Sequence, residues 1–276
     1  MSKVIELKDK ARGVTQISKM AEAMQIVAVA ELKKIQSRQK AAEHYSRHYR
    51  RLVARLGADK TRTIVKSREE VLFVLASERG FCGDFNERLF KQVGEYVVGQ
   101  KTKGINVRLT LVGRKGCELF SGWPAEKIRE KGYLKLKELL LAHTAEYEAG
   151  NLAGVGIFFN EFKSMMSQLP RFVKLLPFAD PLGIKREPSL LLEPTPAYVR
   201  DYVADRYLTT LLYDAYMQTR LGEVVARLLS MRGAAESSKE MLKDLGIKIN
   251  KARQSMITVE LSEIISSFEV LAEEHN

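Results

Sequence analysis

Residues 221–259 read LGEVVARLLSMRGAAESSKEMLKDLGIKINKARQSMITV, and their apolar positions decide the fold. Leu221, Val224, Leu228, Met231, Ala235, Ser238, Leu242, Leu245, Ile249, Ala252, Met256 and Val259 follow one another at alternating spacings of three and four. Only Ser238 is polar. Twelve positions in one register form the seam of a coiled coil, which supercoils to stay against a partner helix. No proline lies beyond Pro196. The spacing therefore predicts one helix from near Pro196 to the end of the chain, roughly 80 residues and about 120 Å long. A rod of that length needs a second rod.

The N-terminal stretch supplies it. Residues 3–57 hold no proline and two glycines, Gly13 and Gly57. Val4, Leu7, Ala11, Val14, Ile17, Met20, Met24, Val27 or Ala28, Leu32 and Ile35 make a narrow apolar stripe at helical spacing. Ala21, Ala23, Ala28 and Ala30 are small enough to let helices approach closely. Past Ile35 the helix turns basic, with Arg38, Lys40, Arg47, Arg50, Arg51 and Arg55, and is expected to end near Gly57.

Between the rods the period changes. All seven prolines fall between 124 and 196. Val71–Ala76 is a continuous apolar run, as in a buried strand. Asn106–Val112, Val155–Phe159 and Arg171–Pro177 read as further strands, the last two joined by Asn160–Pro170, and Glu87–Val98 and Lys135–Glu148 as helices. Strand–helix alternation implies a mainly parallel sheet covered by helices. The expected organisation is a shaft helix over 1–62, an α/β domain over 63–196 and a shaft helix over 197–276. If the domain sits at one end, the shafts run antiparallel.

The formal charge of +11 is uneven: +9 over residues 1–70, +5 over 71–200 and −3 over 201–276. The opposite signs favour pairing of the two shafts and suggest an acidic partner for the first. The basic helix over 33–62 has only Tyr45 and Tyr49 to stack on bases and no reader motif, so no nucleic-acid role is expected. No apolar run reaches membrane-span length, and MSKVIELKDKARG lacks the apolar segment of a secretory signal. Cys82 and Cys117 fit no metal spacing, and a reducing compartment is the simplest setting.

Candidate chemistry is sparse. No GxxxxGK[ST] phosphate loop is present, and Val112-Gly-Arg-Lys-Gly116 reads as a basic surface turn. His44 and His48 are one turn apart without a third ligand. No metal or cofactor site is expected. The most structured segment is Ser77-Glu-Arg-Gly-Phe-Cys-Gly-Asp-Phe-Asn86, between a strand and a helix. Gly80 and Gly83 permit a tight turn, and Asn86 reads as a helix N-cap. This is a usual ligand position in a doubly wound sheet.

Three stretches together resemble the γ subunit of F-type ATP synthases. They are Met24-Gln-Ile-Val-Ala-Val-Ala-Glu-Leu32, the Ser77–Asn86 loop, and Asn250-Lys-Ala-Arg-Gln-Ser-Met-Ile-Thr-Val-Glu-Leu-Ser-Glu-Ile264. They are similar to the family's AMxMVAxxKL, SDRGLCGxxN and NKARQxxITxELxEI, in order and spacing, across essentially the whole chain. Glu22 and Glu31 stand where the family usually has lysine, and Asp84 where it has a small residue.

The resemblance implies an antiparallel coiled coil turning inside a ring of α and β subunits, with a central Rossmann-like α/β domain against the ε subunit and the membrane c-ring. It implies a non-catalytic rotor, peripheral to the cytoplasmic face of a bacterial membrane. It carries over Met24, Arg227, Arg253, Gln254, Thr258 and Glu260 as contacts with the ring. It also sets the loop residues Arg79, Gly80, Cys82, Gly83 and Asn86 facing the acidic lever of β. Two other readings compete: a free-standing coiled-coil tether with an α/β head, and a Rossmann-type enzyme, which the missing phosphate loop and acid–base pair disfavour.

Overall fold

The computed structural model describes residues 2–58, 67–128, 132–178 and 191–273. The expected boundary between 62 and 63 lies outside them. In chain order the elements are α1 (Ser2–Leu56), β1 (Glu69–Leu75), α2 (Phe85–Thr102), β2 (Asn106–Val112), α3 (Arg114–Leu119), β3 (Ala125–Ile128), α4 (Gly132–Glu148), β4 (Gly154–Ser164), β5 (Ser167–Leu176) and α5 (Pro196–Glu273). Contacts divide the chain into two compact units, Met1–Val27 with Leu229–Asn276, and Ala28–Leu228.

Local chemistry sets the helix ends. The Thr195 hydroxyl accepts the Tyr198 N–H at 3.3 Å, and Pro196 occupies the first helical position, where its missing N–H costs nothing. At the other boundary Gly57 sits at φ 61°. There the Ala58 N–H reaches back to the Val53 carbonyl at 3.0 Å, closing α1 with a left-handed cap that glycine adopts without strain.

The first unit is an antiparallel helix pair. Ala21, Met231 and Ala235 form its buried cluster, with Met24 and Ala234 packed against it, and Lys239 pairs with Glu22 at 2.8 Å. Low residue numbers on α1 therefore face high numbers on α5. The α5 seam falls as read: Met231, Ala235, Ser238 and Leu245 are buried, and Leu242, Ile249, Ala252 and Met256 half-buried. Val259, the last expected seam position, is 52% exposed. It borders a groove shared with Lys3 and Val4, where α1 is only beginning.

On α1 the register differs from the expectation. Ser18 and Ala21 are buried, whereas Ile17 and Met20 are exposed. After Val14 the buried positions are Ser18, Ala21 and Ala28, at steps of four, three and seven, all of them small side chains. Small seam residues let the backbones approach, and the larger apolar groups beside them are left outside.

The second unit is a three-layer α/β domain with strand order β3-β2-β1-β4-β5. β1, β2, β3 and β4 pair in parallel and β5 pairs antiparallel to β4. On one face Phe73, Leu75, Val155 and Ile157 pack on Leu136 and Leu140 of α4, Val53 of α1, and Tyr207 and Leu212 of α5. On the other, Leu72, Val74 and Leu111 meet Leu89, Phe90 and Val93 of α2. Strand β1 is covered on both sides, which accounts for its unbroken apolar run. The same unit holds a short stretch of helix pair, where Ala28 packs with Val224 and Leu228.

Three details differ from expectation. The Gly113–Gly116 turn opens into helix α3. The four-residue strand β3 follows it, too short for a periodic signal. The connection expected over Asn160–Pro170 is itself mostly strand, since β4 and β5 extend to Ser164 and Ser167.

Gly246 lies inside α5, and a Cβ added there meets nothing within 4 Å. Gly246→Ala is expected to stabilise the chain by up to ~1 kcal/mol, read by thermal unfolding, because it removes only glycine's entropic cost in a helix. Destabilisation would contradict regular helix at this position.

A second expectation concerns Asp214, whose side chain lies beside a cavity of about 330 Å³ lined also by Glu43, Arg47, Arg50, Glu161 and Arg171. Among the described residues its Oδ1 is buried without a hydrogen-bond partner, and burial pushes the carboxyl up from 3.8 to about 6. A raised carboxyl favours folding in its protonated form. That contribution is complete below about pH 4 and is lost as the pH rises through 6. Asp214→Asn does not titrate. At pH 8 it is expected to be about 1–3 kcal/mol more stable than the parent, and at pH 4 the gap should close. A gap independent of pH would contradict this.

Candidate functional site

From β1 the chain builds β2 and β3 on one side and returns as β4 on the other, so the C-terminal end of β1 is a topological switch point. The loop over 76–84 emerges there. Its first turn is tied down on three sides. The Ser77 carbonyl accepts the N–H groups of Lys115 and Gly116 at 3.1 and 3.2 Å. The Ser77 N–H donates to Asn86 Oδ1 at 3.0 Å, and Asn86 Nδ2 donates to Ser77 Oγ at 2.8 Å. Asn86 is therefore not the N-cap of α2. That position is Asp84, which makes no side-chain cap. Asn86 instead sits inside the first turn and staples the loop's start to its end.

The turn itself is tight, but the left-handed residues are Phe81 (φ 61°) and Gly83 (φ 59°), not Gly80. A bulky side chain at positive φ is uncommon, and Phe81 is also 55% exposed. Cys82 points inward, and burial pushes its thiol up, away from the reactive thiolate.

The anchor of the loop comes from α5. Glu223 is fully buried. Its carboxylate accepts the consecutive backbone N–H groups of Glu78 and Arg79 at 3.1 and 3.0 Å. It also accepts Arg220 Nη1 at 2.8 Å and a short bond from Arg227 Nη2. Arg227, 6% exposed, sends its Nε to the Gly80 carbonyl at 3.1 Å. From α1, Glu31 accepts Arg79 Nη1 at 2.8 Å and lies 3.8 Å from Arg227. Phe85 seals the joint against Gly222, where a Cβ would stand 3.1 Å from the ring. Two backbone amides of the loop that leaves β1 are thus taken by the chain's own carboxylate.

Of the sequence candidates, Arg79, Gly80 and Arg227 meet directly at this joint, with Cys82 and Gly83 in the same loop and Asn86 in the first turn of α2. Arg227 turns its guanidinium inward. Met24 lies in the helix pair of the first unit, against Ala21 and Met231. Arg253, Gln254, Thr258 and Glu260 are exposed on neighbouring turns of α5, and the Thr258 hydroxyl donates to the Gln254 carbonyl at 3.0 Å. Among the described residues, no cluster of three or more His, Cys, Asp or Glu side chains could hold a metal ion.

Sequence reasoning missed Glu223, and marked Glu31 only as a departure from the family pattern. The available signal was Arg220, Glu223 and Arg227 at helical spacings of three and four inside an otherwise apolar segment. Such a pattern suits an ion pair, but its loop partner lies about 145 residues away.

Comparison with known proteins agrees with this architecture. Residues 3–271 match the ATP synthase family. An ATP synthase gamma chain of Desulfitobacterium hafniense is 29% identical, over 98% of this chain and all of the relative. That of Glaesserella parasuis is 31% identical over 95% of this chain and 96% of the relative. A chain of the Euglena gracilis mitochondrial ATP synthase, solved as OSCP/F1/c-ring, has the same fold with a TM-score of 0.70 at 15% identity, covering 98% of this chain and 95% of that one. A Tetrahymena thermophila central-stalk and c-ring structure aligns with a TM-score of 0.58 at 22% identity, over 78% of this chain and 99% of that one. The chain belongs to the ATP synthase gamma chain family.

Proposed function

We propose that this chain is the rotor of an F-type ATP synthase, transmitting torque between a membrane c-ring and a catalytic ring of α and β subunits, with ε as a further partner. The observation that carries the reading is the outer surface of the helix pair in a chain of this family. Ile17, Met20 and Ile26 on α1 and Ile257 on α5 are large apolar side chains left exposed on the pair, and Leu261 and Ile264 are exposed on α5 beyond Val259, where α1 begins. Apolar groups repeated along a rod expect a surrounding protein surface. No described helix is long and apolar enough to cross a membrane, which fits peripheral attachment through the complex, on the cytoplasmic face in a bacterium.

Torque transfer requires contacts that differ between ring positions, because only differential contacts shift a two-state equilibrium. Arg253, Gln254, Thr258 and Glu260 supply exposed charges and hydrogen-bonding groups on the outer turns of α5. One charge-assisted hydrogen bond, worth about 1.5–3 kcal/mol, is strong enough to bias a step and weak enough to release. The chain performs no catalysis itself in this reading.

The test is Arg253→Ala combined with Gln254→Ala in purified, stoichiometric complex. The expected outcome is full assembly with an ATPase rate lowered several-fold. An unchanged rate would remove these two residues from the contact set. A free-standing tether predicts no stable complex with the ring at all.

A further inference from the structure

We propose that Glu223 is a positioning residue that makes the Arg79–Asn86 loop part of the helix pair, so that force delivered to the loop enters α5 without being lost in loop motion. This rests on the rotor reading above. A carboxylate offers about four lone-pair sites, and Glu223 fills them with the amides of Glu78 and Arg79 and the guanidinium groups of Arg220 and Arg227. Nothing is left over for a ligand or for proton transfer.

Two adjacent amides gripped by one carboxylate resist both sliding and twisting of the loop, because either movement breaks both bonds. Arg227 closes the circuit at the Gly80 carbonyl, and Arg79 extends it to Glu31 on α1. The loop is thereby bonded to both helices. A fully satisfied buried polar network of this kind rigidifies and specifies one arrangement. What the loop presents outward from this base is Phe81, exposed and held at positive φ. A side chain kept in that conformation needs surroundings that determine it, and the Glu223 joint, one residue away through Gly80, provides them.

The experiment uses the assembled complex with Glu223→Gln, Glu223→Asp and, as a milder variant that perturbs only the half-exposed end of the network, Glu31→Gln. Glu223→Gln keeps the length but loses the charge and two acceptor sites. Glu223→Asp keeps the charge but falls short by one methylene. Amide hydrogen exchange at Glu78 and Arg79 is expected to rise at least about tenfold in both Glu223 variants, and by less in Glu31→Gln. Ions pumped per ATP hydrolysed, in vesicles containing the complex, should fall while hydrolysis continues.

Parental exchange rates in both Glu223 variants would overturn the positioning role, and parental exchange in Glu223→Asp alone would reduce it to plain charge neutralisation and overturn the bidentate grip. Raised exchange with parental pumping per ATP would overturn the mechanical claim while leaving the rotor reading intact. If neither Glu223 variant assembles, parental exchange in Glu31→Gln decides against a shared network. The rotor reading itself would fail separately, in a parental complex that hydrolyses ATP without pumping.

Discussion

Each terminal helix carries an apolar stripe that it cannot bury by itself, and the pairing of those stripes is the constraint on which everything else depends. A long helix alone in water has little but local hydrogen bonds to hold it. Paired antiparallel, α1 and α5 bury Ala21, Met231 and Ala235 in one unit and Ala28, Val224 and Leu228 in the other. The seam is built of small side chains at its α1 positions, so the attraction per residue is modest and the approach is close. The same choice pushes Ile17, Met20 and Ile26 to the outside. A seam of large residues would be a stronger zipper with a plainer surface. This one leaves apolar groups exposed beside the seam.

The α/β domain uses the opposite arrangement. Its central strand is buried on both faces and its core is contiguous through α1, α4 and α5. At the switch point, where other doubly wound sheets bind ligands, the loop is bonded to the buried Glu223. The buried ion pair with Arg227 is not in itself an argument for stability, since two desolvated charges often do no better than an apolar pair. Its value is directional: the carboxylate and guanidinium fix the loop's amides and carbonyl in one register relative to the helix. The nearby departures from the family pattern have partners in this chain, Glu22 with Lys239 and Glu31 with Arg79.

Much of this was legible in the sequence because its signals are periodic. The α5 seam follows the spacing of three and four from Leu221 to Met256, and the apolar run at Val71–Ala76 announced a doubly covered strand. Periodicity failed where packing prefers small or polar side chains. Ile17 and Met20 look like core and Ser18 and Ala21 do not, yet the helix phase set by Val14 and Ala28 admits only the latter pair. α3 and β3 are too short to establish a period. The loop advertised itself through its glycines, but its left-handed residue is Phe81, and Asn86 works within the first turn of α2 instead of capping it. Glu223 was hidden for a different reason. A glutamate on a helix reads as solvated until its long-range partners are known, and those partners are backbone amides, which carry no sequence signature.

As a rotor of this family, the chain turns against a stationary ring. Both native cysteines are buried, so a single probe can be attached through Leu134→Cys, at an exposed position of the α/β domain. With the ring of an assembled complex fixed to a surface, the account predicts stepwise rotation of the probe in one direction, sustained by ATP and stopping when ATP is removed. A probe that stays still while the same complexes hydrolyse ATP would contradict it.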